Sequence, residues 1–195
     1  DKGGGGVIHQ VVLGLNLSLE VLEIFRRHGI APYFCTPHKF YYGTMMFKLF
    51  YLLTTAFGIR RNKLDVEYVT SWKAWRRMLV REQDHIVKSE IIYRNPALIS
   101  EMLKELKQVP SLAIVHSSKY NIEITRQGVS KGKALEILAS LYGIKREEIM
   151  SIGDSENDLS MIEYAGLGIA MGNSSDVVKE KADYITDCNE YEGVA

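Results

Sequence analysis

The chain has 195 residues, 46% hydrophobic and 25% charged, a balance ordinary for a globular protein of one large or two small domains. Its 24 basic and 24 acidic side chains cancel, and no polybasic run stands out, so there is no basic field for a nucleic-acid partner. Cys35 and Cys188 are widely separated and form no Cys-x-x-Cys pair, which fits a reduced, cytoplasmic setting.

The chain opens with Asp1-Lys2 and the glycines Gly3 to Gly6, which read as a flexible entry rather than a secretory leader or a P-loop. Leu17 to His28 has helical spacing, with Ser18 as its expected N-cap and Gly29 as its stop, and Ala31 to Cys35 reads as the next strand. The polar loop Cys35-Thr36-Pro37-His38-Lys39 suits an exposed turn or a specificity element. Phe40 to Ile59 is apolar, but Lys48 near its middle would cost about 2.5–3.5 kcal/mol in a bilayer. A strand through Tyr41-Tyr42 and a helix from about Thr44 to Phe57 fit better, and no membrane partner is expected. Trp72 and Trp75 suit packing. A helix is expected over Pro96 to Lys107, with Pro at its first position. Strands follow at Leu112 to His116 and Asn121 to Thr125. The histidines are too dispersed for a metal cluster.

Ser130 is a natural N-cap for a helix whose expected buried face is Ala134, Leu135, Ile137, Leu138 and Leu141. Lys131 and Lys133 oppose the helix dipole in its first turn, a conflict that a bound anion would relieve at Lys131. The run Ile149 to Ile152 reads as a buried strand, followed by the turn Gly153-Asp154-Ser155-Glu156-Asn157-Asp158 and a helix through Tyr164. Ligands of open α/β sheets collect beyond the carboxyl ends of strands, where this turn falls. A hard cation such as Mg²⁺ takes oxygen ligands, so Asp154 suits a direct ligand and Asp158 a supporting one, with Asn157 able to offer an amide to a phosphate. The same residues also suit a plain turn with an N-cap and a first-turn acid. Leu167 to Met171, Asp176 to Lys181 and Ala182 to Thr186 then read as strand, helix and strand, with Asn173 in the intervening turn. This alternation argues for a parallel sheet with helices packed on it.

Three ordered segments carry a family resemblance: Val129-Ser130-Lys131-Gly132-x-Ala134-Leu135, Gly153-Asp154-Ser155-Glu156-Asn157-Asp158-Leu159-Ser160-Met161, and Ala165-Gly166-Leu167-Gly168-Ile169-Ala170-Met171-Gly172-Asn173. Together they resemble the haloacid dehalogenase superfamily, and within it the Cof-type sugar-phosphatase-like branch. The resemblance implies an α/β fold: an incomplete Rossmann-like core with a parallel sheet over residues 126–195, and a larger inserted α/β cap over residues 1–125. It also implies a Mg²⁺-dependent phosphatase that hydrolyses a small phosphorylated metabolite, such as a sugar phosphate, through an aspartyl-phosphate. Lys131 would hold the phosphate and steady the nucleophile, Asp154 would bind the metal, Asp158 would support the metal site, and Asn157 would help bind substrate.

The family's nucleophile lies in an N-terminal Asp-x-Asp-x-Thr motif, and that spacing occurs nowhere in these 195 residues. The Ser/Thr motif ending the family's second core strand is likewise unidentifiable. Against the family pattern the chain begins near the passage from core to cap and stops at Glu192-Gly193-Val194-Ala195, where a last core helix is expected. The isolated chain is therefore expected to turn over poorly, because Lys131 and Asp154 position and neutralise charge but do not attack phosphorus. An unpaired core edge would invite self-association or a complementing N-terminal segment. The competing expectation is a non-catalytic module that binds a phosphorylated metabolite.

Overall fold

The computed structural model describes residues 7–56, 65–93, 97, 99–118 and 120–194. The chain divides into two compact units, one of Asp1–Ile114 with Glu123–Gln127 and the other of Val115–Ile122 with Gly128–Ala195. It begins with α1 (Leu15–Arg27), β1 (Tyr33–Cys35), β2 (Lys39–Tyr42), α2 (Met45–Ala56), β3 (Asp65–Tyr68), α3 (Trp72–Arg81), β4 (Lys88–Ile92), α4 (Ser100–Leu106), β5 (Leu112–Ser118) and β6 (Asn121–Arg126). The six strands form one mixed sheet in the order β3-β2-β1-β4-β6-β5. Within it β2 and β3 run parallel, and β1 is antiparallel to both β2 and β4.

Side chains alternate across this sheet, so β1 divides its residues between two faces. Phe34 packs on Phe25 of α1 and Trp75 of α3, with ring centroids 6.5 and 5.7 Å away. Val21, Leu79 and Ile86 of the same unit are also buried, and each such side chain stabilises the fold by about 1.5–3 kcal/mol. On the other face Phe47 of α2 lies 4.7 Å from the Tyr42 ring, 5.4 Å from Phe40 and 6.0 Å from Tyr33.

Helix α1 begins earlier than its sequence suggests: Gly14, not Ser18, is its N-cap, and Ser18 is buried one turn inside. The chain is already pinned upstream, where the Leu13 N–H donates to the Ile86 carbonyl at 2.8 Å, so the helix starts before the expected cap. Gly29 ends it as anticipated, at φ 65°, a left-handed conformation that glycine adopts without strain. In α3 the Ser71 hydroxyl accepts the Ala74 N–H at 3.2 Å, which caps the helix and sets Trp75 inward. The expected starts at Gly3 to Gly6 and at Asn95-Pro96 lie outside the described residues. No helix among the described residues is long and apolar enough to cross a membrane.

Cys35 sits on the sheet face that also carries Lys88, which bridges Glu90 at 2.6 Å and Glu123 at 3.3 Å. Burial, with the Glu90 carboxylate nearby, pushes the Cys35 thiol from its ordinary 9.0 up to about 12. The folded chain thus keeps a proton that the unfolded chain releases. This contribution to stability is complete below pH 9.0 and is lost as pH rises towards about 12. Thiol labelling of the folded chain at mildly alkaline pH is expected to modify the half-buried Cys188 while Cys35 reacts only on unfolding; equal labelling rates would contradict it.

The second unit carries α5 (Lys131–Tyr142), β7 (Met150–Gly153), α6 (Leu159–Tyr164), β8 (Leu167–Ala170), α7 (Asp176–Lys179) and β9 (Tyr184–Ile185). Its three strands are parallel in the order β7-β8-β9, as the alternation of helix and strand implied. Ile162, Ala170 and Val178 form a buried cluster between sheet and helices, with Leu159 and Ala182 packed against it. The buried face of α5 differs from expectation. Gly132 and Ala139 are buried, whereas Leu138 and Leu141 are exposed. Small side chains allow α5 to approach α6 closely, so the helix turns that narrow side inward, with Leu135 and Ile137 of the expected face only half-buried and Ala134 exposed.

Candidate active site at the carboxyl end of β7

Strand β7 delivers the chain into the turn at its carboxyl end, where Asp154 is exposed and Asp158 is buried. The two acids therefore have different surroundings. Asp158 Oδ2 accepts the backbone N–H groups of Asp154 at 3.0 Å and Ser155 at 3.1 Å, while Oδ1 pairs with the Lys131 ammonium. Gly153 makes room for this: a Cβ there would stand 2.4 Å from the Cβ of Asp158. Two of the turn's amides are consequently filled by an internal carboxylate.

Lys131 reaches the turn because Ser130 caps α5, its hydroxyl accepting the Lys133 N–H at 3.1 Å. The next residue locks α5 to α6. The Gly132 N–H donates to the Ser160 hydroxyl at 3.0 Å, and a Cβ on Gly132 would fall 2.1 Å from the Ser160 carbonyl oxygen. Ser160 was not singled out by sequence reasoning, because a serine on an amphipathic helix carries no spacing signal. Lys131 Nζ also donates to Asn157 Oδ1 at 3.5 Å, which leaves one of its three protons for an incoming anion. The conflict between Lys131 and the helix dipole is thus met by Asp158 inside the fold, so that conflict alone does not demand a bound anion. Lys133 instead pairs with Glu136 at 2.7 Å on the surface.

Lys131, Asn157 and Asp158 therefore form one contact group. Asp154 stands at its rim, its carboxylate making no hydrogen bond or ion pair among the described residues. An open carboxylate at a strand's carboxyl end fits a hard cation, which would draw its remaining oxygen ligands from water, phosphate and other carboxylates. The set is partial: among the described residues no group of three His, Cys, Asp or Glu side chains could hold a metal ion. Asn173 is a turn tie, its Oδ1 accepting the Asn189 N–H at 3.0 Å.

A parallel α/β core with a lysine-aspartate pair and an open aspartate beyond the carboxyl end of β7 places the chain in the class of open-sheet α/β proteins that carry their site at that edge. Residues 5–195 match the haloacid dehalogenase-like hydrolase family, and the chain belongs to it. It is 49% identical over 139 residues to a 5-amino-6-(5-phospho-D-ribitylamino)uracil phosphatase, YcsE of Bacillus subtilis, which covers 69% of this chain and 56% of that protein. A phosphoglycolate phosphatase of Methanothermobacter thermautotrophicus is 46% identical over 81 residues, covering 42% of this chain and 37% of the relative. Among solved structures, a haloacid dehalogenase-like hydrolase from Bacteroides thetaiotaomicron superposes with a TM-score of 0.71 at 28% identity, covering 94% of this chain and 65% of that one. A second, from Bacillus subtilis, reaches a TM-score of 0.77 at 24% identity over 95% of this chain and 70% of the other, a likeness of fold. The chain thus spans about half the length of the curated relatives it matches over the longest stretches.

Proposed function

We propose that this chain supplies the charge-neutralising part of a Mg²⁺-dependent phosphatase acting on a small phosphorylated metabolite. The observation that carries this reading is the Lys131–Asp158 pair beside the open Asp154 carboxylate. In this reading Lys131 donates its remaining N–H to a phosphate oxygen, Asn157 orients the same group, and Asp158 holds Lys131 at the mouth of the turn. Asp154 is the residue that would hold the metal, which supplies charge neutralisation at the phosphoryl oxygens when bound. The attacking carboxylate has no counterpart in an Asp-x-Asp-x-Thr spacing here and comes from outside these 195 residues. The larger α/β unit serves as the cap that selects the leaving group.

Release of inorganic phosphate from an aryl phosphate and from 5-amino-6-(5-phospho-D-ribitylamino)uracil, with and without Mg²⁺, tests this. The 195-residue chain alone is expected to be slower by a factor of about 10⁴ or more than the same chain joined to an Asp-x-Asp-x-Thr segment. Full activity of the 195 residues alone refutes the external nucleophile. A joined protein that binds phosphate but hydrolyses nothing in the presence of Mg²⁺ points instead to a phosphometabolite-binding module.

A further inference from the structure

Helix α2 has one face turned down onto the sheet and one face turned out. Phe47 makes the inward contacts with Tyr42, Phe40 and Tyr33, and the helix's single charge, Lys48, lies over the Tyr68 ring at 5.1 Å. The outward face carries Met45, Met46, Leu49, Leu52 and Leu53, between 48% (Leu53) and 67% (Met46) exposed. At 100° per residue these five occupy an arc of about 120°, a continuous apolar stripe with no charge in it. Single exposed leucines are unremarkable, but a contiguous stripe of this kind marks an interaction surface.

We propose that this stripe is a dimerisation surface on which a second copy of the chain docks through its own α2. Two observations favour that occupant. The first is symmetry: relative to Leu49 the apolar positions fall at −4, −3, 0, +3 and +4, a pattern unchanged when the helix direction is reversed. Two copies of α2 can therefore pair antiparallel about a two-fold axis through Leu49, with Met45 and Met46 of one copy against Leu52 and Leu53 of the other. An isologous interface requires this self-complementarity. It brings no like charges together, because Lys48 is held on the flank by Tyr68. The second is area. Five half-exposed large side chains offer about 500 Å² per copy, so the pair buries about 1,000 Å², the lower bound for a specific interface. A reversible, concentration-dependent dimer follows. Helices that lie on lipid carry Lys and Arg along their polar face, and α2 has one lysine already engaged, so a membrane surface fits less well. The flexible thioethers of Met45 and Met46 suit a surface that repacks on association.

Sedimentation velocity and light scattering of the 195-residue chain test the proposal without reference to phosphatase activity. At about 100 μM the wild-type chain is expected to have the mass of a dimer and to dissociate on dilution, as befits a small interface. Leu49→Glu, which would set two carboxylates at the axis, is expected to halve the mass, and Leu52→Glu to do the same. Both positions are exposed, so far-UV circular dichroism, and the thermal midpoint measured at dilutions where the wild type is monomeric, should match wild type. Leu49→Lys is expected to be monomeric alone and to form a heterodimer when mixed with Leu49→Glu. A wild-type chain that stays monomeric at this concentration overturns the proposal. So does a Leu49→Glu variant that associates like wild type, which would assign self-association to another surface, such as the exposed Leu138 and Leu141 of α5.

Discussion

Asp154→Ala is expected to abolish Mg²⁺-dependent phosphate release from a protein that joins these residues to an Asp-x-Asp-x-Thr segment, while leaving its thermal midpoint almost unchanged. The two halves of this expectation share one structural cause. The Asp154 carboxylate is exposed and contributes no hydrogen bond or ion pair among the described residues, so its loss should alter folding by no more than about 0.5 kcal/mol. In the proposed mechanism the same carboxylate holds the cation that neutralises the transferring group. Removing one preorganised electrostatic contact costs about 10²–10³ in rate, and losing the ion with it costs more. Asp154→Asn keeps the shape and removes the charge, and should raise the Mg²⁺ concentration needed for activity. Full turnover by Asp154→Ala would remove the turn from the active site.

The second large effect concerns stability. Asp158 has a side chain only 5% exposed, and it accepts two backbone N–H groups as well as the Lys131 ammonium. Asp158→Ala leaves both amides of the turn without their acceptor and frees Lys131 from its anchor, so chemical denaturation should show a loss of about 3 kcal/mol or more. Lys131→Met acts from the other side. It strands a buried carboxylate without its cation, a change that costs about 3–5 kcal/mol when both partners are buried. Because the Lys131 side chain is 50% exposed, water screens the pair and the loss should be smaller than for Asp158→Ala. Activity should order differently: Lys131→Met removes a direct phosphate contact, so its rate loss should persist at temperatures where the variant is fully folded. A Lys131→Met variant with unaltered kcat/KM would assign Lys131 a structural part only.

These contrasts show where reasoning from sequence reached the site and where it stopped. Strand, turn and helix around Gly153 to Asp158 were legible because apolar runs change period there and glycine punctuates the change. Ser130 was legible as a cap for a local reason, a hydroxyl one turn before an amphipathic segment. The chemistry of metal ligation already suggested Asp154 as a direct ligand and Asp158 as a supporting residue, but the burial that sets them apart was not legible. Both are aspartates in one turn, and only the fold shows that one carboxylate is buried among amides while the other is open. Strands β3 and β4 and helix α3 escaped the same reading. At the sheet edge Asp65 and Glu67 on β3 pair with Lys39 of β2, and Glu67 also with Arg81 of α3, so charged residues do work that apolar alternation would otherwise advertise.

By itself the sequence determined the alternation of elements after Ser130, the parallel core that follows from it, the haloacid dehalogenase resemblance, and the absence of an Asp-x-Asp-x-Thr motif. Each is a matter of residue order, which a single chain displays directly. Tertiary structure alone decided which side of α5 is buried, how Asp158 answers the charge of Lys131, and which face of α2 is left outward. Those outcomes depend on distances between residues far apart in the chain, such as the approach of Gly132 to Ser160, and no local pattern encodes them.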